Sequence, residues 1–67
     1  MPILEMHLLE GRSREQKQMA AKAVTEALAE TLEVNPETVR ILITEHAVEN
    51  FYVAGWDITH RASGKTE

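Results

Sequence analysis

Apolar residues crowd the start of the chain, thin into a helical spacing, and crowd again past its middle. From Pro2 to Leu9 the run is Pro-Ile-Leu-Glu-Met-His-Leu-Leu. In an extended strand Leu4, Met6 and Leu8 share one face, and Ile3, Glu5, His7 and Leu9 share the other. Apolar side chains on both faces predict cover on both sides, as in a parallel or intersubunit sheet. Glu10-Gly11-Arg12 interrupts the pattern. Ser13-Arg14-Glu15-Gln16 then has the form of a capping box, in which Ser13 accepts from the Gln16 backbone and Gln16 reaches back. The helix that follows is predicted to about Leu32, with a stripe of Ala20, Ala23, Val24, Ala27, Leu28, Thr31 and Leu32. Lys17, Lys22, Glu26 and Glu30 fall on its solvated side. The alanines allow the helix to lie close to a sheet.

Asn35-Pro36-Glu37-Thr38 predicts a turn, with Asn35 as cap and Pro36 at the first position. Val39 to Glu45 is β-branched and apolar and predicts a second strand, with Arg40 inside it. Strand, helix, strand implies a right-handed crossover and a parallel pair. Ala47 to Asn50 reads as a loop, Phe51 to Ala54 as a short strand, and Gly55 as a turn that lets the chain fold back in a C-terminal hairpin. Residues Ala62 to Glu67 are expected to fray.

Size sharpens this reading. With 67 residues the chain is expected to form one α/β domain over 1–67. Two parallel strands and one helix leave a sheet face and both edges open, and so small a domain needs a staple. Cysteine is absent and the histidines His7, His46 and His60 lack metal-ligand spacing, so neither disulfide nor metal is expected. Joining sheets between copies is the remaining staple, and 43% hydrophobic residues can furnish a shared core. A net charge of −4 without a basic cluster argues against nucleic acid. The apolar runs are too short to span a membrane and the N-terminus lacks the form of a signal peptide, so a cytoplasmic location is the default.

Candidate chemistry is sparse. Pro2 follows Met1, and a small second residue is a good context for methionine removal. Removal would expose a secondary amine; α-amines titrate near roughly 8, and an apolar pocket lowers that value toward a usable base. Alone, Pro2 reads better as a strand start that needs no N–H. Arg12 lies in the loop beside Gly11, and Arg40 among apolar residues needs a partner, either a protein carboxylate or a ligand carboxylate gripped bidentately. For each arginine alone, a salt bridge or a place at the sheet rim is the better reading. His7 reads as structural. Phe51, Tyr52 and Trp56 form a local aromatic group suited to a subunit contact.

Taken together, Pro2, Leu8-Leu9-Glu10-Gly11-Arg12-Ser13, Glu15-Gln16-Lys17 and Val39-Arg40-Ile41-Leu42-Ile43-Thr44-Glu45 resemble the 4-oxalocrotonate tautomerase family over roughly positions 2 to 51. The resemblance implies a β-α-β subunit, pairs of subunits sharing a four-stranded sheet, and a homohexamer built as a trimer of pairs, or a heterohexamer of two kinds of chain. It further implies that Pro2, freed of Met1, is the catalytic amine. Arg12 and Arg40 match the arginines that bind the substrate carboxylate and carbonyl, Phe51 matches the pocket aromatic, and Leu9 and Thr38 fall near positions that line the site. The implied reaction is enol–keto tautomerisation, a 1,3-allylic ketonisation, of a small unsaturated 2-oxo acid from aromatic-compound breakdown, with no cofactor and no metal.

Two other readings accompany it. One is a partner subunit without turnover of its own. The other is a proline-dependent hydratase-dehalogenase or decarboxylase, which uses a further carboxylate to activate water; Glu45 and Glu49 are available in sequence. The family's glycine-rich hairpin is replaced here by the bulkier Phe51-Tyr52-Val53-Ala54-Gly55-Trp56.

Overall fold

A computed structural model describes residues 1–59. Strand β1, Ile3–Leu9, leads through a loop into helix α1, Arg14–Leu32. A 3-10 turn at Pro36–Thr38 delivers the chain to strand β2, Arg40–His46. β1 and β2 pair in parallel, from Ile3 opposite Arg40 to Leu9 opposite His46. The predicted β-α-β unit and its parallel pair are therefore present. The fraying expected for Ala62 to Glu67 lies outside the described residues.

The local signals act as the residue types dictate. Ser13 Oγ accepts from the Gln16 N–H at 3.0 Å, and Gln16 Oε1 accepts from the Ser13 N–H at 3.1 Å, so two of the donors that a helix start leaves unpaired are satisfied. Asn35 Oδ1 caps the 3-10 turn by accepting from the Glu37 N–H at 2.9 Å, with Pro36 at the first position. The loop expected at 47–50 holds another 3-10 turn, Val48–Asn50. After it Tyr52–Val53 and Trp56–Asp57, strands β3 and β4, form the antiparallel C-terminal hairpin. Its tip is Ala54-Gly55, both at positive φ (56° and 85°), as a two-residue turn matched to strand twist requires.

Leu4, Met6 and Leu8 of β1 and Ile41 and Ile43 of β2 are the half-buried residues of one sheet face, which α1 covers. The inward side of the helix keeps Val24 and Leu28 of the expected stripe but is turned away from the rest of it. Its half-buried positions are Lys17, Ala21, Val24, Thr25, Leu28 and Ala29, while Ala20, Ala23, Ala27, Thr31 and Leu32 stay exposed. Two strands span about 5 Å between axes and a helix is about 10 Å across, so this sheet covers only part of the apolar arc. Lys17, expected on the solvated side, instead sits 3.0 Å from Glu45 Oε2 at the edge of the packed face. Arg40, expected inside the strand, is its first residue and is exposed.

The opposite sheet face is open. Ile3 is 57% and Leu42 51% exposed, and no described residue is fully buried. A radius of gyration of 15.3 Å exceeds the roughly 11 Å of a compact chain this long. One copy thus exposes on its second face the apolar side chains that the sequence provides for a shared sheet.

Candidate active site

The candidate residues divide between the two ends of the sheet. At the β1 start, the Pro2 carbonyl accepts from the Arg40 N–H at 2.9 Å, which fixes Pro2 against the first residue of β2. The Met1 amine donates to the Thr38 carbonyl at 2.7 Å. Arg40 Nη1 donates to the Glu37 carbonyl at 2.9 Å, so its side chain lies back along the 3-10 turn. Among the described residues no carboxylate pairs with Arg40, which leaves most of its fork of donors open. Pro2, Thr38 and Arg40 therefore share one corner. With Met1 attached the Pro2 nitrogen is an amide, and Pro2 is half-buried there.

Leu9 and Arg12 lie at the other end. Seven residues of strand separate Pro2 from that end, about 20 Å of extended chain. Leu9 pairs with His46, and the Glu10 N–H donates to the His46 carbonyl at 2.9 Å. Gly11, at a φ of 123°, turns the chain out of the strand, and Arg12 follows, exposed and without an ion pair among the described residues. Arg12 lines a groove of about 380 Å³ with Met6, Leu8, Lys17 and Met19. A larger groove, by Lys22 and Pro36, contains none of the candidate residues. Phe51 is half-buried, just past the 3-10 turn that follows β2. One chain thus brings Pro2, Thr38 and Arg40 together and holds Leu9 and Arg12 well apart from them.

Sequence reasoning did not pair His7 with His46. Side chains project to a common sheet face when strand positions run in step, so His7, opposite Thr44, lies diagonal to His46. Their Nδ1 and Nε2 atoms are 2.8 Å apart. The parallel register was the signal that would have found them. Among the described residues no group of three or more His, Cys, Asp or Glu is placed to hold a metal ion. No helix there is long and apolar enough to cross a membrane.

A β-α-β unit with an open sheet face, with Pro2 held against Arg40 at one sheet corner and Arg12 and Arg40 in no ion pair among the described residues, defines a small α/β protein. The chain belongs to the tautomerase family: the family model for tautomerase enzymes matches residues 2–61. It is 44% identical to a 2-hydroxymuconate tautomerase from Pseudomonas putida over 55 residues, 82% of this chain and 87% of the relative. Among solved structures, a 4-oxalocrotonate tautomerase isozyme from Methylibium petroleiphilum superposes with a TM-score of 0.85 at 52% identity, covering 94% of this chain and 98% of that one. A heterohexamer 4-oxalocrotonate tautomerase from Chloroflexus aurantiacus does so with a TM-score of 0.83 at 36% identity, covering 88% and 95%. The protein is a tautomerase-family isomerase of the 4-oxalocrotonate tautomerase type.

Proposed function

We propose that this enzyme, once Met1 is removed, uses the Pro2 secondary amine as general base and acid in the 1,3-allylic ketonisation of a small unsaturated 2-oxo acid. The observation that carries this reading is the corner where Pro2 is hydrogen-bonded through its carbonyl to Arg40, whose guanidinium faces no carboxylate among the described residues. The substrate class we assign is that of 2-hydroxymuconate, the compound in the relative's name; a cytoplasmic role in aromatic-compound breakdown is part of the same proposal. The neutral amine removes a proton next to the carbonyl. The electron pair delocalises into a dienolate, and the protonated amine returns the proton at another carbon, so the reaction is redox-neutral. Arg40 and Arg12 bind the carboxylate and carbonyl ends and stabilise the oxyanion as it develops, with fixed charges worth more in a dry site than in water. Phe51 keeps the amine in apolar surroundings, which favours its neutral form. Leu9 and Thr38 line the cavity.

The separation of Pro2 from Arg12 along β1, about 20 Å of extended chain, supports a composite site in which Arg12 comes from another copy. We therefore take the working assembly as a hexamer, a trimer of sheet-sharing pairs. A heterohexamer with a second kind of chain is the other arrangement, favoured by the heterohexameric Chloroflexus relative. Of the two carboxylates that a water-activating alternative could use, Glu45 is ion-paired with Lys17 at the helix-covered face, which leaves Glu49, exposed after β2, as its candidate.

Intact mass and an ultraviolet assay of enol ketonisation test this reading. The expected result is loss of Met1, and a fall in kcat/KM of about 10²–10⁴-fold in Pro2→Ala, the usual contribution of a positioned acid-base group. A processed protein whose activity ignores Pro2→Ala would sink the proposal.

A further inference from the structure

His7 Nδ1 lies 2.8 Å from His46 Nε2 on the sheet face that α1 leaves open. The ring centroids are 5.1 Å apart and the planes are tilted by 25°. His46 is the last residue of β2, and its carbonyl accepts from the Glu10 N–H at 2.9 Å. Glu10 opens the loop that carries Arg12. At the other end of that loop, Ser13 is fixed by the capping box and the first helical turn is tied to β2 by Lys17 and Glu45. Between these two anchors sits Gly11, with nothing within 4 Å of where a Cβ would stand. Within one chain nothing packs against the loop at Gly11, and its strand-side anchor is the residue whose ring His7 meets.

An N–H···N bond between imidazoles needs one nitrogen without a proton. Either ring can donate, and one ring can be cationic. When both are cationic, two N–H groups and two positive charges meet where a bond had been. Acidification supplies that second proton. Glu5 shares the His7 face of β1, Glu10 follows the strand, and Glu49 follows β2. Arg40 lies at the far end of β2, and Glu45 turns toward Lys17 on the other face.

We propose that the His7–His46 pair is a proton-sensitive latch that positions the Arg12 loop. The latch is closed while at least one ring is neutral and opens when the second proton enters. It deepens the reading of Arg12 as a substrate-carboxylate ligand and rests on that reading for its kinetic effect. His7 and His46 are positioning residues and touch no reacting atom.

The test compares the full-length wild type with the double variant His7→Asn/His46→Gln, whose amides offer a hydrogen bond near the same nitrogen positions but do not titrate. In nitrogen-edited NMR from pH 8 to 5, the wild-type His7 and His46 ring signals and the Glu10 to Ser13 backbone amides are expected to move with a common midpoint. In the double variant the amide shifts vanish. In ketonisation assays, KM of the wild type rises on acidification by about fivefold or more while kcat changes less, and the double variant loses that rise. His46→Leu, with no bond to replace the pair, has the raised KM at every pH. Loop amides that stay still while the rings titrate would overturn the latch, as would a double variant that keeps the wild-type pH dependence of KM. A wild type inactive at pH 8 would count against the proposed reaction alone, and the NMR comparison would still decide the latch.

Discussion

Lys17 shows how one residue can be misjudged by pattern and still be explained by physics. Its place in the helical wheel suggested solvent, yet its ammonium lies 3.0 Å from Glu45 Oε2, with side-chain exposures of 27% and 34%. A lysine stem covers apolar surface while its head stays wet, so a cation at the margin of a packed face is chemically consistent. Solvent reaches both partners, so the pair is worth about 0.5–1 kcal/mol at most. A double-mutant cycle with Lys17→Ala and Glu45→Ala should return a coupling in that range at low salt, shrinking as ionic strength rises toward about 1 M. A coupling larger than this and insensitive to salt would mean that a neighbouring copy desolvates the pair. The chemical consequence is that Glu45 is committed to structure, whereas Arg12 and Arg40 are in no ion pair among the described residues, as the proposed carboxylate-binding role requires. That contrast among charged residues, more than the identity of any one of them, is what gives the candidate site its character.

At the scale of elements, the helix end carries a cost that the chain does not need. Glu33 closes α1 at a φ of 57° while its N–H donates to the Ala29 carbonyl, and the Val34 N–H donates to the same carbonyl at 3.1 Å. A left-handed conformation costs a residue with a Cβ roughly 1–2 kcal/mol, and a carboxylate at a helix C-terminus opposes the dipole. No basic residue in the last turn compensates. Glu33→Gly is expected to stabilise the protein by about 1 kcal/mol, a rise of about 4–8 °C in Tm for a domain of this size. Glu33→Ala, which removes the charge but keeps the strain, should gain less, and equal gains would show that backbone strain is not the cause. Both need comparison at one protein concentration, because Tm of an oligomer depends on it.

The same scale shows what was legible in the sequence. The capping box, the Asn35-Pro36 turn and the two apolar strands were readable because each depends on residues close together in the chain. Strand β2 came out one residue later than expected, which moved Arg40 from the interior to the rim. The inward side of α1 was legible at Val24 and Leu28 but not around them, because it is set by how a narrow sheet meets the helix, and alanines at 20, 23 and 27 look equally suited to either contact. The His7–His46 contact was invisible for a similar reason: it exists only once the register of two distant strands is known. Of the candidate site, Pro2 and Arg40 meet through that register, while the distance to Arg12 is a property of strand length.

For the whole molecule, an open sheet face and a divided site are two aspects of one deficiency. Ile3 and Leu42 each keep about half their surface in water, and covering the rest would contribute about 1 kcal/mol apiece. Tyr52 and Trp56 of the hairpin are likewise 60% and 58% exposed. The strand that presents this apolar surface also holds Pro2 about 20 Å from the loop of Arg12. On the proposed composite site, association satisfies packing and completes a cavity in the same step, and a mixing experiment reads that coupling directly. Pro2→Ala and Arg12→Ala chains, each nearly inactive alone, are unfolded together and refolded at equal amounts. If every cavity takes Pro2 from one copy and Arg12 from another, random assembly places an intact proline opposite an intact arginine in about a quarter of sites, and that fraction of wild-type activity returns. If both groups came from one chain, each site would carry a defect and the mixture would stay as inactive as its parts. Recovery that appears only after refolding, and not on simple mixing, would further show that the copies do not exchange on the timescale of the assay.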